Sequence, residues 1–187
     1  MHALVVYESM FGSTREIAER IAVGLRTGVD KVEVCRVGDA DVVRVADADL
    51  VVVGGPTHAH GMSRPQTRQA AVSDPAKYGK GAPLEPGADG IGLREWFEGL
   101  PAMTGAAAAF DTRADVPAVL SGRAAKGIAQ RLRRSGFRLV DGPQGFLIGK
   151  ESGLKTGEAD RAEAWGRALA RARLGRASGE TRRQGAE

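Results

Sequence analysis

Hydrophobic positions in this chain of 187 residues follow two different periods. The runs Ala3-Leu4-Val5-Val6 and Leu50-Val51-Val52-Val53 are continuously apolar and end abruptly, whereas Lys31–Val37 begins with alternating polar and apolar residues. Continuous apolar runs of this length are typical of strands that helices cover on both faces of a parallel sheet. The pattern predicts strands at 2–7, 31–37, 50–56 and 104–110, and a fifth strand in two pieces, 137–140 and 146–148.

Between these strands, apolar residues recur every three or four positions, which is the period of a helix packed along one side. Ser13 with Glu16 three positions later indicates a capping box at the start of the first helix. Gly136 follows the basic helix as a C-terminal cap. The predicted helices are 14–26, 64–73, 93–99, 121–135 and 158–173, with a weak helical turn around 42–46.

Strands and helices therefore alternate along the chain, which predicts right-handed crossovers and a parallel sheet. The expected fold class is α/β, a doubly wound five-stranded parallel sheet. We expect one domain over residues 1–174. Residues 175–187 lack apolar anchors and are predicted to form a disordered basic tail.

The composition excludes several classes of protein. Cys35 is the single cysteine, so the chain forms no internal disulfide and no cysteine-built metal site, as expected in a reducing cytoplasm. Residue 1 leads directly into the first strand, so we expect no signal peptide. No apolar run approaches the roughly 20 residues that span a bilayer.

The formal charge of +4 is spread unevenly. Residues 119–138 contain six basic residues and no acidic one, and residues 171–187 contain five Arg and two Glu. No aromatic residue is interleaved with these arginines, so we do not expect nucleic-acid binding. A solvated helix face is the simpler interpretation, and docking of an acidic partner or of a pyridine nucleotide phosphate is the alternative.

The stretch Tyr7-Glu8-Ser9-Met10-Phe11-Gly12-Ser13-Thr14 lies between the first strand and the first helix. Backbone N–H groups at a helix start are unpaired and carry the positive end of the helix dipole. Serine and threonine hydroxyls add donors, and a glycine allows close approach to the backbone. The stretch predicts a phosphate-binding loop, although Ser13 alone is also compatible with a simple helix cap.

Ligands of open parallel sheets bind beyond the carboxyl ends of the strands. Three segments are predicted at that edge, namely 8–14, 56–63 and 111–115. Because the first has the character of a phosphate site, the other two are expected to hold the rest of the ligand.

Alternating strand–helix units, a Ser-x-x-Gly-Ser-Thr loop after the first strand and a Gly-Gly-Pro-Thr segment after the third resemble the flavodoxin family. The resemblance extends over about residues 2–172 and implies a strand order of 2-1-3-4-5 with non-covalently bound FMN. The positions that match the family's cofactor-binding loops are Ser9, Met10, Phe11, Gly12, Ser13, Thr14, Pro56, Thr57, His58, Ala59, His60, Gly61, Asp111, Thr112 and Arg113.

Two features depart from the family pattern. Phe11 stands where flavodoxins usually have a threonine, and neither ring loop contains the tryptophan or tyrosine that often stacks on the flavin. His58 and His60 are the flat side chains of the second loop, although histidines in a loop are often solvent-exposed. Trp96 and Trp165 occur at apolar helix spacing and are predicted to pack in the core.

The resemblance implies electron transfer, or a small flavin-dependent reductase, with a redox partner protein or a small-molecule electron acceptor. Two alternatives remain open: a binding or regulatory module with weak or no flavin, and a quinone or haem-precursor oxidoreductase of the same superfamily. The Gly- and Pro-rich segment 74–92 is a candidate lid over the site. The electron donor, the reduction potential, the choice between FMN and another flavin, and the oligomeric state are left undetermined.

Overall fold

The computed structural model describes residues 1–58, 60–117, 121–149 and 153–184, with side chains as far as residue 172. Its strands are β1 (His2–Tyr7), β2 (Lys31–Arg36), β3 (Leu50–His58), β4 (Gly61–Met62), β5 (Ala106–Ala114), β6 (Arg138–Leu139) and β7 (Gln144–Ile148). Its helices are α1 (Ser13–Leu25), α2 (Val42–Ala46), α3 (Pro65–Ser73), α4 (Pro75–Gly79), α5 (Leu93–Gly99), α6 (Ala124–Arg134) and α7 (Glu158–Gln184), with a 3-10 turn at Val37–Asp39. None of these helices combines the length and hydrophobicity needed to cross a membrane.

The sheet has the strand order β2-β1-β3-β5, and β6 and β7 both pair with β5 in parallel. β6 and β7 are two pieces of one edge strand, interrupted around Asp141–Pro143 as the sequence predicts. Counted as one strand, they complete the predicted doubly wound order 2-1-3-4-5. The short β4, which the sequence pattern does not predict, pairs antiparallel with the end of β3.

The core lies on both faces of the sheet. Alternate residues of β1 point to opposite faces, so Leu4 and Val6 pack towards α5 and α6, and Ala3 and Val5 pack towards α1 and α7. Both tryptophans are buried, which confirms the prediction that they pack in the core. Trp165 packs against Phe110 and Phe146, and the indole N–H of Trp96 donates to the carbonyl of Ala40 at 2.7 Å.

Two strands run further than the sequence predicts. β3 continues through Thr57 and His58 because these residues pair with β4, and β5 continues to Ala114 because it pairs with β7 over Phe110–Ala114. The predicted loops 57–63 and 111–115 are therefore mostly strand. The ladder hydrogen bonds fix the backbone of these residues more firmly than a loop would.

The segment 74–92 is a packed structure that contains α4. Met10, Ala71 and Ala88 form a small third core with Phe11 and Leu84 against them. α7 continues to Gln184, whereas the sequence pattern predicts its end near residue 173. The predicted disorder of 175–187 stays a prediction, and residues 185–187 lie outside the described part of the chain.

Candidate functional site

The predicted phosphate loop, residues 8–14, leaves the N-terminus of α1 without a side-chain cap. Gly12 occupies the N-cap position with a φ of 93°, and no side chain in the described residues bonds to the N-terminal N–H groups of α1. The predicted capping box of Ser13 and Glu16 is therefore wrong, because Ser13 is already the first helical residue. Its hydroxyl and the first amides of α1 are left for a ligand.

The apolar residues of the loop anchor it to the segment 74–92. Met10 is buried, and its carbonyl oxygen accepts a hydrogen bond from the N–H of Glu85 at 2.8 Å. Phe11 lies against the backbone of Gly79, where a Cβ would come within 2.6 Å of the phenyl ring. Phe11 thus contributes packing between the loop and the segment 74–92.

The second predicted segment forms a hairpin of β3 and β4, and its described cavity-facing part is Pro56, Thr57 and His58. His58 is half-buried, and burial lowers the pKa of its imidazole, while the carboxylate of Glu8 opposes that shift. The imidazole is therefore neutral near pH 7.

The far end of the hairpin is placed differently. His60 has a φ of 71°, is exposed, and bridges to Gly122 at the start of α6. Gly61 pairs with His58. Neither His60 nor Gly61 lines the cavity that Pro56, Thr57 and His58 face. Ala59 lies outside the residues that the structure describes. A cofactor-binding role for these three residues stays a prediction.

The third predicted segment lies on β5, and its three residues have different environments. Asp111 is fully buried, and its carboxylate accepts the N–H of Ala125 at 2.8 Å, which makes it a cap for α6. Burial raises the pKa of Asp111. The hydroxyl of Thr112 lies 2.7 Å from that of Thr14, and Arg113 donates to the carbonyl of Val116 at 2.9 Å.

One cavity of about 510 Å³ joins the phosphate loop to the ends of β3 and β5. Ten predicted positions line it: Ser9, Met10, Phe11, Ser13, Thr14, Pro56, Thr57, His58, Thr112 and Arg113. Six further residues complete its wall: Gln66, Thr67, Ala70, Tyr78, Ala114 and Ile148. Gly12 and Asp111 support this wall without lining it.

The six further wall residues were not predicted from the sequence, and most of them come from elements without a local sequence signal for a binding site. Gln66, Thr67 and Ala70 lie on α3, and only its packing shows which side of the helix meets the cavity. Tyr78 lies on the short α4 within a segment rich in Gly and Pro. It places an aromatic ring at the cavity from outside the two predicted ring loops.

No group of three or more potential metal-ligating side chains occurs in the part of the chain that the structure describes. The site instead presents backbone amides and hydroxyls at one end, and an imidazole, a guanidinium and a phenol elsewhere. Such groups bind an anionic, partly aromatic organic molecule.

Comparison with known proteins agrees with this geometry. The sequence profile of a family described as Flavodoxin domain matches residues 4–69, from β1 through the phosphate loop into α3. No curated protein sequence matches the chain.

Solved structures share the fold at low sequence identity. Oxidised Flavodoxin 1 from Bacillus cereus aligns with a TM-score of 0.64 and 15% identity, over 91% of this chain and 98% of that one. A flavodoxin from the domain Archaea aligns with a TM-score of 0.60 and 19% identity, over 93% and 99%. The flavodiiron protein from Giardia intestinalis aligns with a TM-score of 0.56 and 19% identity, over 93% of this chain but 36% of that larger protein.

The matched segment contains the predicted phosphate loop, and the structural similarity extends over nearly the whole chain. Residues 4–69 therefore resemble the flavodoxin domain by sequence, and the chain as a whole has the flavodoxin-like fold.

Proposed function

We propose that this protein binds FMN in the cavity between α1, β3 and β5 and acts in electron transfer. The observation that carries the proposal is the uncapped N-terminus of α1, which opens onto the same cavity as the ends of β3 and β5. A cavity of about 510 Å³ lies within the usual range of roughly 300–1,000 Å³ for small-molecule and cofactor sites.

The phosphate end of the cavity suits a dianion. Ser9 and Ser13 line this end, and the Ser9 hydroxyl also accepts the N–H of Gly12 at 3.2 Å. The first amides of α1 present N–H donors with the positive end of the helix dipole behind them. The nearby carboxylate of Glu85 is engaged by Arg15 at 2.7 Å, which reduces its repulsion of a bound phosphate.

The other end suits a flat, polar ring. His58 is neutral near pH 7, so the guanidinium of Arg113 is the fixed positive charge of the cavity wall within the described residues. A positive charge at this place favours a ligand that gains negative charge on reduction. Tyr78 and Phe11 supply aromatic surface on the same wall.

FMN, when bound, supplies the redox chemistry, and the protein supplies binding, orientation and electrostatics. In this proposal Ser9, Ser13 and the α1 amides hold the phosphate, and Thr57, His58, Gln66 and Arg113 face the ring system. Asp111 takes no direct part, because its buried carboxylate is committed to capping α6.

Titration with FMN and with riboflavin tests the proposal. We expect FMN to bind more tightly than riboflavin, and Ser13→Ala to weaken FMN binding roughly tenfold or more, because hydrogen bonds to charged groups are worth about 1.5–3 kcal/mol. Riboflavin affinity should stay unchanged in the same variant. Ser73→Ala is the matched control, since its hydroxyl bonds within α3 to the carbonyl of Gln69.

A protein that takes up neither flavin contradicts the proposal and favours the flavin-free binding module. Equal affinity for FMN and riboflavin contradicts the phosphate-loop assignment alone. The reduced holoprotein then distinguishes an electron carrier from a small reductase, according to whether a redox protein or a quinone reoxidises it faster.

A further inference from the structure

Two segments of the chain that contain no acidic residue meet beside the cavity. Residues 50–73 and residues 116–140 include no Asp or Glu. They come together at the hairpin of β3 and β4, where the N–H of Ala124 donates to the hydroxyl of Thr57 at 3.0 Å and His60 bridges to Gly122.

A third element, the helix α5, adds a positive charge beside the hairpin of β3 and β4. Arg94 of α5 reaches the hairpin, and its guanidinium donates to the carbonyl oxygen of Ser63 at 2.8 Å. Burial lowers the pKa of Arg94, and the positive charges of Arg131 and Arg64 lower it further. Arg94 therefore lies in a positive environment beside the hairpin.

We name the side chains Arg64, Arg94, Arg123, Lys126 and Arg131 the basic rim. Arg64, Arg123 and Lys126 are exposed, and the other two are partly exposed. Among the described residues, none of the five forms an ion pair with an acidic side chain.

Acidic groups near the rim do not neutralise it. Glu95 is engaged by Arg68 at 2.9 Å, and Glu8 is buried and accepts the N–H of Leu93. Several like charges held together without partners cost free energy, which a complementary surface recovers on binding.

The position of the basic rim connects it to the site. The hairpin that Arg94 contacts also forms the cavity wall through Thr57 and His58. A protein seated on the rim therefore comes next to the ring end of the cavity. No aromatic residue occurs between 111 and 136, so the rim lacks the stacking surfaces typical of nucleic-acid sites.

We propose that the basic rim docks an acidic redox protein that exchanges electrons with the cofactor. The inference rests on the proposed function and adds the chemistry of the partner. Complementary charge raises association rates by about 10- to 1,000-fold and orients the partner before contact.

The test uses the full-length holoprotein with a strongly acidic [2Fe–2S] ferredoxin as the probe. Binding is measured by isothermal titration calorimetry, and electron exchange by stopped-flow absorbance, at several salt concentrations. We expect affinity and rate to fall as salt rises. Arg64→Glu with Arg131→Glu should weaken binding at low salt roughly tenfold or more.

Arg20→Glu with Arg26→Glu is the matched control. These exposed arginines lie on and next to α1, on the opposite face of the sheet, and their replacement changes the net charge by the same amount. We expect less than about a threefold effect, because charges more than a Debye length from the docked partner are screened.

Equal weakening in the control pair overturns the proposal, since the effect is then one of net charge. Affinity that rises with salt overturns it as well. Tighter binding of a random-sequence DNA duplex than of ferredoxin, lost in the same rim variant, assigns the surface to nucleic acid instead.

The two proposals fail separately. Flavin uptake without ferredoxin binding overturns the docking surface alone. Ferredoxin binding by a protein that takes up no flavin overturns the FMN proposal and the electron exchange, and leaves an acidic-protein docking surface.

Discussion

The hydroxyl oxygens of Thr14 and Thr112 lie 2.7 Å apart, and both side chains are buried. This hydrogen bond joins the first turn of α1 to β5, across 98 positions of sequence. It therefore fixes the position of α1 relative to β5, and both elements contribute to the cavity wall. It also directs the Thr14 hydroxyl towards the protein, so Ser13 is the better candidate for a phosphate ligand.

We expect Thr112→Val to lower the free energy of unfolding by about 1–3 kcal/mol, because the Thr14 hydroxyl is left buried without a partner. Thr14→Val should cost a similar amount for the same reason. The double variant should cost clearly less than the sum, since it leaves no hydroxyl unpaired. Urea unfolding measures all three, and additive costs would show that the two hydroxyls are not coupled.

The buried carboxyl group of Asp111 should make the free energy of unfolding fall as pH rises. Burial raises the pKa of Asp111 above its ordinary value of 3.8, while the N–H of Ala125 and the hydroxyl of Thr57 oppose the shift. The folded protein thus holds this proton more tightly than the unfolded chain. The contribution of Asp111 to stability is therefore fully present below pH 3.8, the ordinary pKa of the group, and is lost as pH rises through the pKa of the folded protein.

Asp111→Asn removes the titration and keeps an oxygen that accepts the N–H of Ala125. We expect the variant to gain stability relative to the original protein as pH rises through this window, with a constant difference above it. Urea unfolding from about pH 3.5 to about pH 7 measures the difference. A constant difference across the whole range would contradict the assignment, and Asp74→Asn controls for loss of an exposed capping carboxylate.

Gly24 of α1 and Gly166 of α7 allow the two helices to touch. A Cβ on Gly24 would overlap the carbonyl oxygen of Glu163 and lie 2.9 Å from the Cα of Gly166. We expect Gly24→Ala to destabilise the protein by about 1–3 kcal/mol, because the helices must move apart. In Gly99→Ala nothing lies within 4 Å of the new methyl group, so its effect should stay within about 0.5 kcal/mol.

Thermal and urea unfolding compare these two glycine variants. Equal effects would contradict the close packing of α1 on α7, because backbone entropy alone should make Gly→Ala slightly stabilising at both positions.

The aromatic ring of Tyr78 should contribute to flavin binding. Its ring lines the cavity and is 45% exposed, so its removal should leave the fold intact. We expect Tyr78→Ala to weaken FMN binding about three- to tenfold and Tyr78→Phe to preserve it, since aromatic contacts contribute about 0.5–1.5 kcal/mol.

Ile91→Ala is the control for Tyr78, because Ile91 is similarly exposed on the same segment but does not line the cavity. Flavin titration measures each variant. Unchanged affinity in Tyr78→Ala would assign the ring end to other residues.

The order of strands and helices could be predicted from the sequence because hydrophobic periodicity is a local property. Ala3–Val6 and Leu50–Val53 are apolar on both faces, and Ile17, Ile21 and Leu25 repeat at helical spacing. The continuous apolar runs indicate strands buried on both faces, and the helical spacing indicates a helix buried on one side. The phosphate loop was also local, since its strand, glycine and helix start are adjacent in the chain.

The ends of the strands were not predictable in the same way. Thr57 and His58 belong to β3 because β4 pairs with them, and Thr112 belongs to β5 because β7 does. A strand continues as long as a partner supplies hydrogen bonds, and that partner comes from elsewhere in the chain. The predicted capping box failed because Gly12, with its positive φ, starts the helix one residue earlier than the Ser-x-x-Glu pattern indicates.

The sequence by itself thus determined the α/β architecture, because that depends on periodicity, and the strand–glycine–helix order around Gly12, because those residues are adjacent. The resemblance to flavodoxins implied ten residues that line the cavity. Only the tertiary structure placed Tyr78 and Gln66 in its wall, committed Asp111 to capping α6, and brought Arg94 of α5 to the hairpin of β3 and β4. The physical reason is that these relationships join elements far apart in sequence, and packing alone decides which of their faces meet.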